Sequence, residues 1–271
     1  MKKYNDIGIL GGGWLGTAIA KRALASGEAI RISTTSSEKM KKFLEQGMEA
    51  YLLKVTESKI MGNLDFFEGL DVLIIALPPG VRKNPNRNYI SLIQQIVNIT
   101  LRSNIKKVLY TSSTSVYGHH EEAITEESEL LGNTPSAIQI MAAEKLLQDY
   151  NDFESCIVRL GGLIGPNRHP IRSLAGKTLS DPATPINFIH QKDAVEIILR
   201  LLEKWSDPQV FNAVTPHHPN RKTYYTQMAN MATLPPPIFS KNGKVRGVVS
   251  AQKLIDYLDY SFLVKNLLIL N

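Results

Sequence analysis

Short apolar runs alternate along this chain with segments whose apolar positions recur at helical spacing. Ile7-Gly8-Ile9-Leu10 predicts a buried strand, and Trp14 to about Ser26 predicts a helix. Ala29–Thr34 predicts a second strand, Glu38–Gln46 a helix and Ala50–Val55 a short third strand. Asp71–Leu77 is the clearest strand. It is apolar almost throughout, as a central parallel strand covered on both faces must be, and Pro78-Pro79-Gly80 ends it. A long helix over Tyr89–Ser103 leads to a fifth strand at Lys107–Thr111. This alternation predicts an α/β fold with a doubly wound parallel sheet. Further helices are expected over Lys192–Lys204, Tyr224–Met231 and Ser250–Leu258, with Pro235-Pro236-Pro237 as a rigid connector. The tail, Ser261–Leu270, is apolar enough to dock on the domain or on a second subunit, so a homodimer is one expectation. Repeats and low-complexity tracts are missing from the sequence.

Composition narrows the class. A chain of 271 residues with 43% hydrophobic content can bury a sizeable core, as one large domain or as a cofactor domain with a small lobe. No apolar run approaches the ~20 residues of a membrane helix. Met1-Lys2-Lys3 leads straight into the first strand without a signal-peptide core. Cys156 is the single cysteine, which fits a reducing, cytoplasmic setting. The net charge of +6 is spread along the chain, with neither a basic arm nor a basic–aromatic stripe, which argues against nucleic acid as a partner. One local bias stands out. Ser155–Ser180 holds no acidic residue but contains Arg159, Arg168, His169, Arg172 and Lys177, which suits either the pocket of an anionic small molecule or a solvated basic surface.

The first strand runs into Gly11, Gly13 and Gly16, the spacing of a dinucleotide fingerprint. Gly11 would allow the tight turn, Gly13 the close approach of a pyrophosphate and Gly16 close helix–sheet packing. The helix opening at Trp14-Leu15 would then offer its free N–H groups to phosphate. The second strand ends in Thr34-Thr35-Ser36-Ser37, with no acid before Glu38 to hold a ribose 2′-hydroxyl. These hydroxyls and Lys39 favour NADP over NAD as cofactor; the other reading is an N-cap for the next helix. Leu77 and Pro78 fall on the same ligand-binding edge, as does Ser112 after the fifth strand.

Gly11–Gly16 together with Ser112-Ser113-Thr114-Ser115-Val116-Tyr117-Gly118 resembles the extended short-chain dehydrogenase/reductase superfamily of nucleotide-sugar epimerases, dehydratases and reductases. The resemblance continues through Val158–Pro166, Asn187-Phe188-Ile189-His190-Gln191-Lys192-Asp193-Ala194 and Phe211-Asn212-Ala213. Gly165-Pro166-Asn167-Arg168-His169-Pro170 and Ala175-Gly176-Lys177-Thr178 are more specific, and they are similar to an atypical branch of the superfamily. It implies a Rossmann domain over 1–160, with 187–214 returning to it, and a small substrate lobe over 161–186 and 215–271. It also implies that Ser113 holds the reacting oxygen.

The chain departs from the superfamily at the catalytic Tyr-x-x-x-Lys. Ala143-Glu144-Lys145-Leu146-Leu147 resembles the end of the helix that carries this pair, placing the helix over Pro135–Gln148. Ser136 then stands at the tyrosine position and Ile140 at the lysine position, and no tyrosine in the chain has a lysine four residues on. Lys145 is turned about 100° from that face. Tyr117 and His169 are the candidates left for proton transfer, with Arg168, Arg172 and His190 as substrate contacts. Each has a plainer alternative, as a packed aromatic, a surface charge or a structural histidine. His217-His218 lacks a third ligand nearby, so no metal site is expected. Two functions follow: an NAD(P)-dependent oxidoreductase or epimerase-like enzyme on an anionic, nucleotide-linked substrate, or a non-catalytic cofactor-binding sensor.

Overall fold

A computed structural model describes residues 6–81, 84–240 and 245–269. The ends of the chain, including Met1-Lys2-Lys3 and Leu270, lie outside the described residues.

The first half alternates β1 (Ile7–Leu10), α1 (Trp14–Ala25), β2 (Ile30–Thr34), α2 (Ser37–Glu45) and β3 (Glu49–Val55). After a short β4 (Ile60–Gly62) come β5 (Val72–Ile75), α3 (Tyr89–Arg102), β6 (Lys107–Ser113), α4 (Pro135–Gln148) and β7 (Glu154–Leu160). The remainder holds β8 (Gly162–Ile164), α5 (Ile171–Leu174), β9 (Thr178–Leu179), β10 (Phe188–His190), α6 (Gln191–Lys204), β11 (Gln209–Ala213), α7 (Arg221–Met231), β12 (Ile238–Phe239) and α8 (Gln252–Leu258).

Eight strands form one sheet in the order β11-β7-β6-β5-β1-β2-β3-β4, parallel except at the edge, where β4 runs antiparallel to β3. The expected doubly wound parallel sheet is therefore present. β4 was not expected. Thr56 creates it by closing a turn: its N–H and hydroxyl both reach the Lys59 carbonyl, at 2.9 and 2.6 Å. β5 stops two residues short of Leu77, because Pro78 has no N–H for a ladder and the Leu77 carbonyl turns to the Tyr89 hydroxyl at 2.7 Å. β6 continues past Thr111 to Ser113, paired with β7 throughout.

One apolar cluster lies under α1, α6 and α8 on one face of the sheet, and a second under α3 and α4 on the other. A third, smaller cluster gathers Ile164, Ile171, Ile186, Tyr224, Tyr225, Met228 and Leu267. Ala251, Leu254, Leu258, Tyr260 and Phe262 pack into the first cluster, so this part of the C-terminal segment belongs by packing to the main sheet. The tail is tied down by the buried Asp193. Its carboxylate accepts from the Tyr260 hydroxyl (2.9 Å) and from the N–H groups of Leu263 (2.6 Å) and Val264 (3.1 Å).

Candidate functional site

The carboxyl ends of β1, β2 and β5 meet around the glycine turn. Gly11 has φ +115°, a region that disfavours side chains, and a Cβ there would sit 2.8 Å from the Ala76 carbonyl. At Gly16 a Cβ would lie 2.1 Å from the Gly11 carbonyl oxygen, which no adjustment of a side chain can relieve. At Gly13 it would meet nothing within 4 Å. The first two glycines serve the fold, and the third keeps a space clear. Ser33 completes the turn: its hydroxyl accepts from Gly11 N–H at 2.9 Å, and its carbonyl accepts from Gly12 N–H at 2.6 Å.

Beside this turn opens a cleft of about 260 Å³. Among the residues expected to hold a dinucleotide, Gly11, Gly13, Thr34, Thr35, Ser36, Leu77 and Pro78 line it, whereas Trp14, Leu15, Gly16 and Ser112 do not. Leu53 and Val55 add apolar wall, and Lys39 and Arg87 add two cations. No carboxylate lines the cleft, and neither cation has an ion-pair partner among the described residues. Sequence reasoning missed Arg87, whose loop before α3 carries no pattern; its one signal is its place on the ligand edge after β5. Ser36 also caps α2, accepting from Lys39 N–H at 3.3 Å.

Further along the same edge, Ser113 is half-buried and its Oγ accepts from Ser115 N–H at 3.2 Å, capping the short turn Thr114–Tyr117. Its own hydroxyl proton is left for another acceptor. Ser136 is half-buried and Ile140 buried on α4, one turn apart, with the buried Glu144 a further turn on.

Glu144 belongs to a network that sequence reasoning did not assemble. Its carboxylate accepts from the Ser112 hydroxyl and from Arg159, whose Nη2 lies 2.7 Å from Oε2. Arg159 Nη1 donates to the Tyr117 hydroxyl at 2.8 Å, and that hydroxyl donates to Asn212 Oδ1 at 2.8 Å. The Glu126 side chain closes the set by accepting from Asn212 N–H at 2.7 Å. The network joins the carboxyl ends of β6, β7 and β11.

This corrects the expectation for Tyr117. The residue has 0% exposure, both roles of its hydroxyl are taken, and burial pushes its pKa up despite the adjacent Arg159 guanidinium. It is a packed member of the network, not an acid facing a cleft. His169 is corrected as well. Its Nδ1 accepts from Ile171 N–H at 3.1 Å, which puts the proton on Nε2, 2.7 Å from the Tyr224 hydroxyl. Burial, aided by Arg172, lowers its pKa to about 4, so at neutral pH it is an uncharged bridge between two parts of the small cluster. His190 is buried and caps α6, accepting from Lys192 N–H at 3.2 Å, so it too is structural rather than a substrate contact.

Arg168 and Arg172 are both exposed. The Arg168 guanidinium does not enter the small cluster; it lies 4.9 Å from the centre of the Trp14 ring. His217 accepts from Leu267 N–H at 3.0 Å and His218 meets the Ile186 carbonyl at 3.0 Å, so this pair ties loop to tail. Among the described residues no group of three or more His, Cys, Asp or Glu is placed to hold a metal ion, and no helix is long and apolar enough to cross a membrane.

A sequence model described as "NAD dependent epimerase/dehydratase family" matches residues 7–213. Protein YeeZ of Escherichia coli K12 is 30% identical over 267 residues, covering 97% of this chain and 96% of that protein. In structure the chain is similar to UDP-N-acetylglucosamine 4-epimerase from Bacillus cereus, with a TM-score of 0.79 at 17% identity over 97% of this chain and 95% of that one. It is also similar to MoeE5, solved in complex with UDP-glucose and NAD, with a TM-score of 0.76 at 19% identity over 97% and 96% of the two chains.

Proposed function

The chain belongs to the NAD dependent epimerase/dehydratase family, and on that premise we propose that it binds a nicotinamide dinucleotide in the cleft beside Gly11–Gly13 and acts as an oxidoreductase or epimerase-like enzyme on an anionic, nucleotide-linked substrate. The cleft itself carries the reading. It has a glycine turn whose middle position leaves room for a diphosphate, and a hydroxyl- and cation-rich end. The residues present fit the group. Gly13 admits it, Thr34, Thr35 and Ser36 offer hydrogen bonds at the tip of β2, and Leu53 and Val55 offer an apolar wall.

We assign the cofactor as NADP(H). A ribose 2′-hydroxyl asks for a carboxylate acceptor, and none lines the cleft; a 2′-phosphate asks for cations, and Lys39 and Arg87 have no ion-pair partner among the described residues. The bound cofactor would supply hydride chemistry. Ser113 would orient the reacting oxygen with its free hydroxyl proton, held in place by the turn it caps. The nucleotide-linked substrate is carried over from relatives solved with UDP-sugars, such as MoeE5 with UDP-glucose. Arg172, exposed in the small lobe, is the cation proposed to meet its charge.

One observation favours a second reading. By the resemblance to the superfamily, Ser136 and Ile140 take the places of its tyrosine and lysine, and a serine–isoleucine face moves no proton. A cofactor-binding sensor without turnover needs neither.

Calorimetric titration with NAD⁺, NADP⁺ and both reduced forms tests the cofactor. We expect NADP(H) to bind roughly tenfold or more tightly than NAD(H), and the double variant Lys39→Ala/Arg87→Ala to level the two, as loss of charge-assisted hydrogen bonds requires. Equal affinities in the wild type would refute the NADP assignment, and no binding of any form would refute the cofactor reading as a whole.

A further inference from the structure

The loop that leads from β8 into the small lobe is built onto the glycine turn. The Trp14 indole N–H donates to the Pro166 carbonyl at 3.1 Å, and the Gln191 side chain donates to the Trp14 carbonyl at 3.0 Å. The loop is closed on itself by two reciprocal bonds, Gly165 N–H to Arg168 carbonyl and Arg168 N–H to Gly165 carbonyl, both 3.0 Å. A Cβ on Gly165 would lie 3.0 Å from Gln191 Cβ and 3.1 Å from the Trp14 ring, so the approach is as close as a glycine permits. Arg168 is thereby held with its guanidinium over the indole, 4.9 Å from the ring centre.

Trp14 is the first residue of α1 and the neighbour of Gly13, above which the space is clear. The first turn of α1 holds no acidic side chain and no side-chain cap. Arg168 is exposed and has no carboxylate partner among the described residues. Lys39 and Arg87 line the cleft, and Arg168 does not. A cation with no carboxylate partner among the described residues is therefore held over Trp14, the residue that follows the one position of the turn that is kept open.

We infer that Arg168 is a cofactor-binding residue that closes over the diphosphate of the dinucleotide, with the Trp14 ring as its splint. This inference rests on the cofactor reading proposed above. A helix N-terminus offers a diphosphate only a fraction of the positive charge needed to balance it. A guanidinium supplies a full charge and a planar fork that matches phosphate oxygens two at a time. Stacking on an indole occupies one face of that plane and leaves the N–H edges free. A role toward a substrate in the small lobe would need Arg168 to be anchored there; its anchor is instead a residue of the cofactor turn.

The test compares full-length wild type, Arg168→Ala and Arg168→Lys by calorimetry with three probes. NADP⁺ and ADP-ribose contain the diphosphate; 2′-AMP contains the adenosine and 2′-phosphate without it. We expect Arg168→Ala to weaken NADP⁺ and ADP-ribose by roughly tenfold or more while 2′-AMP changes less than about twofold. Arg168→Lys, keeping charge without the fork, should fall between. Unchanged ADP-ribose affinity in Arg168→Ala overturns the inference and leaves the cofactor reading standing. Equal weakening of all three probes, with a lower Tm, means the loop has collapsed and also overturns it. If the wild type binds none of the three, the cofactor reading fails and this inference falls with it.

Discussion

Glu144 and Arg159 meet with side chains only 2% and 6% exposed, so neither charge has water to fall back on. Their pairing is complete: the carboxylate also takes the Ser112 hydroxyl, and the guanidinium also takes the Tyr117 hydroxyl and the Glu126 carbonyl. Removing one partner leaves the other buried and unpaired, which costs about 3–5 kcal/mol. Glu144→Ala should therefore lower the Tm by about 10 °C or more, measured by circular dichroism. Arg159→Met together with Glu144→Leu should recover a good part of that loss, because an apolar pair leaves no orphaned charge. A double variant no more stable than Glu144→Ala would show that the network's value lies in its hydrogen bonds rather than its balanced charge. In the sequence these residues lie far apart, as a helix-face marker, an arginine in an acid-free run and an asparagine in a strand. Nothing local joins them, since each sits at the carboxyl end of a different strand or on the helix above.

The glycine turn is the element whose sequence and geometry agree most closely. Its three glycines nevertheless do different work, and substitution separates them. Gly16→Ala drives a methyl group into the Gly11 carbonyl, so β1 and α1 must separate, and we expect loss of stability as well as of nucleotide binding. Gly13→Ala meets no protein atom, and its methyl projects into the space proposed for the diphosphate. That variant should keep the wild-type Tm within about 2 °C, since exposed substitutions seldom cost more than about 0.5 kcal/mol, while losing most of its affinity for ADP-ribose. Undiminished binding by Gly13→Ala would remove the diphosphate from this turn. The tip of β2 shows two uses of one segment. Ser36 caps α2, and Thr34 to Ser36 still line the cleft, because a cap consumes one oxygen and leaves the others at the ligand edge.

At the scale of the whole molecule, three histidines tie segments together: half-buried His169 to Tyr224, buried His190 at the start of α6, and half-buried His218 to Ile186. Burial lowers the pKa of each, that of His169 to about 4. The folded state therefore holds them neutral while the unfolded chain protonates near 6.5. Their contribution to stability is fully present above pH 6.5 and is lost as pH falls from there toward 4. Thermal unfolding across this window should show a Tm that drops with acidity, and His169→Gln, which keeps a donor for Tyr224 without the titration, should flatten the drop. The same slope in wild type and variant would shift its origin to carboxylates.

The sequence by itself determined what depends on neighbours along the chain. The apolar runs located most of the strands, the helical spacing located α1, α3 and α6 to within a few residues, the superfamily resemblance placed α4, and glycine spacing located the turn. It also shows that no tyrosine has a lysine four residues on, because that is a matter of residue type and interval. What it could not decide was which side chains from distant segments would meet. Tyr117, His169 and His190 have the chemistry for proton transfer or binding, and only the tertiary structure turned them inward onto Asn212, Tyr224 and the start of α6. Arg87 and Lys39 reached one cleft, and Arg168 reached Trp14, for the same reason. A parallel sheet brings the ends of strands dozens of residues apart to a single edge, and the composition of that edge is written nowhere in a local stretch of the chain.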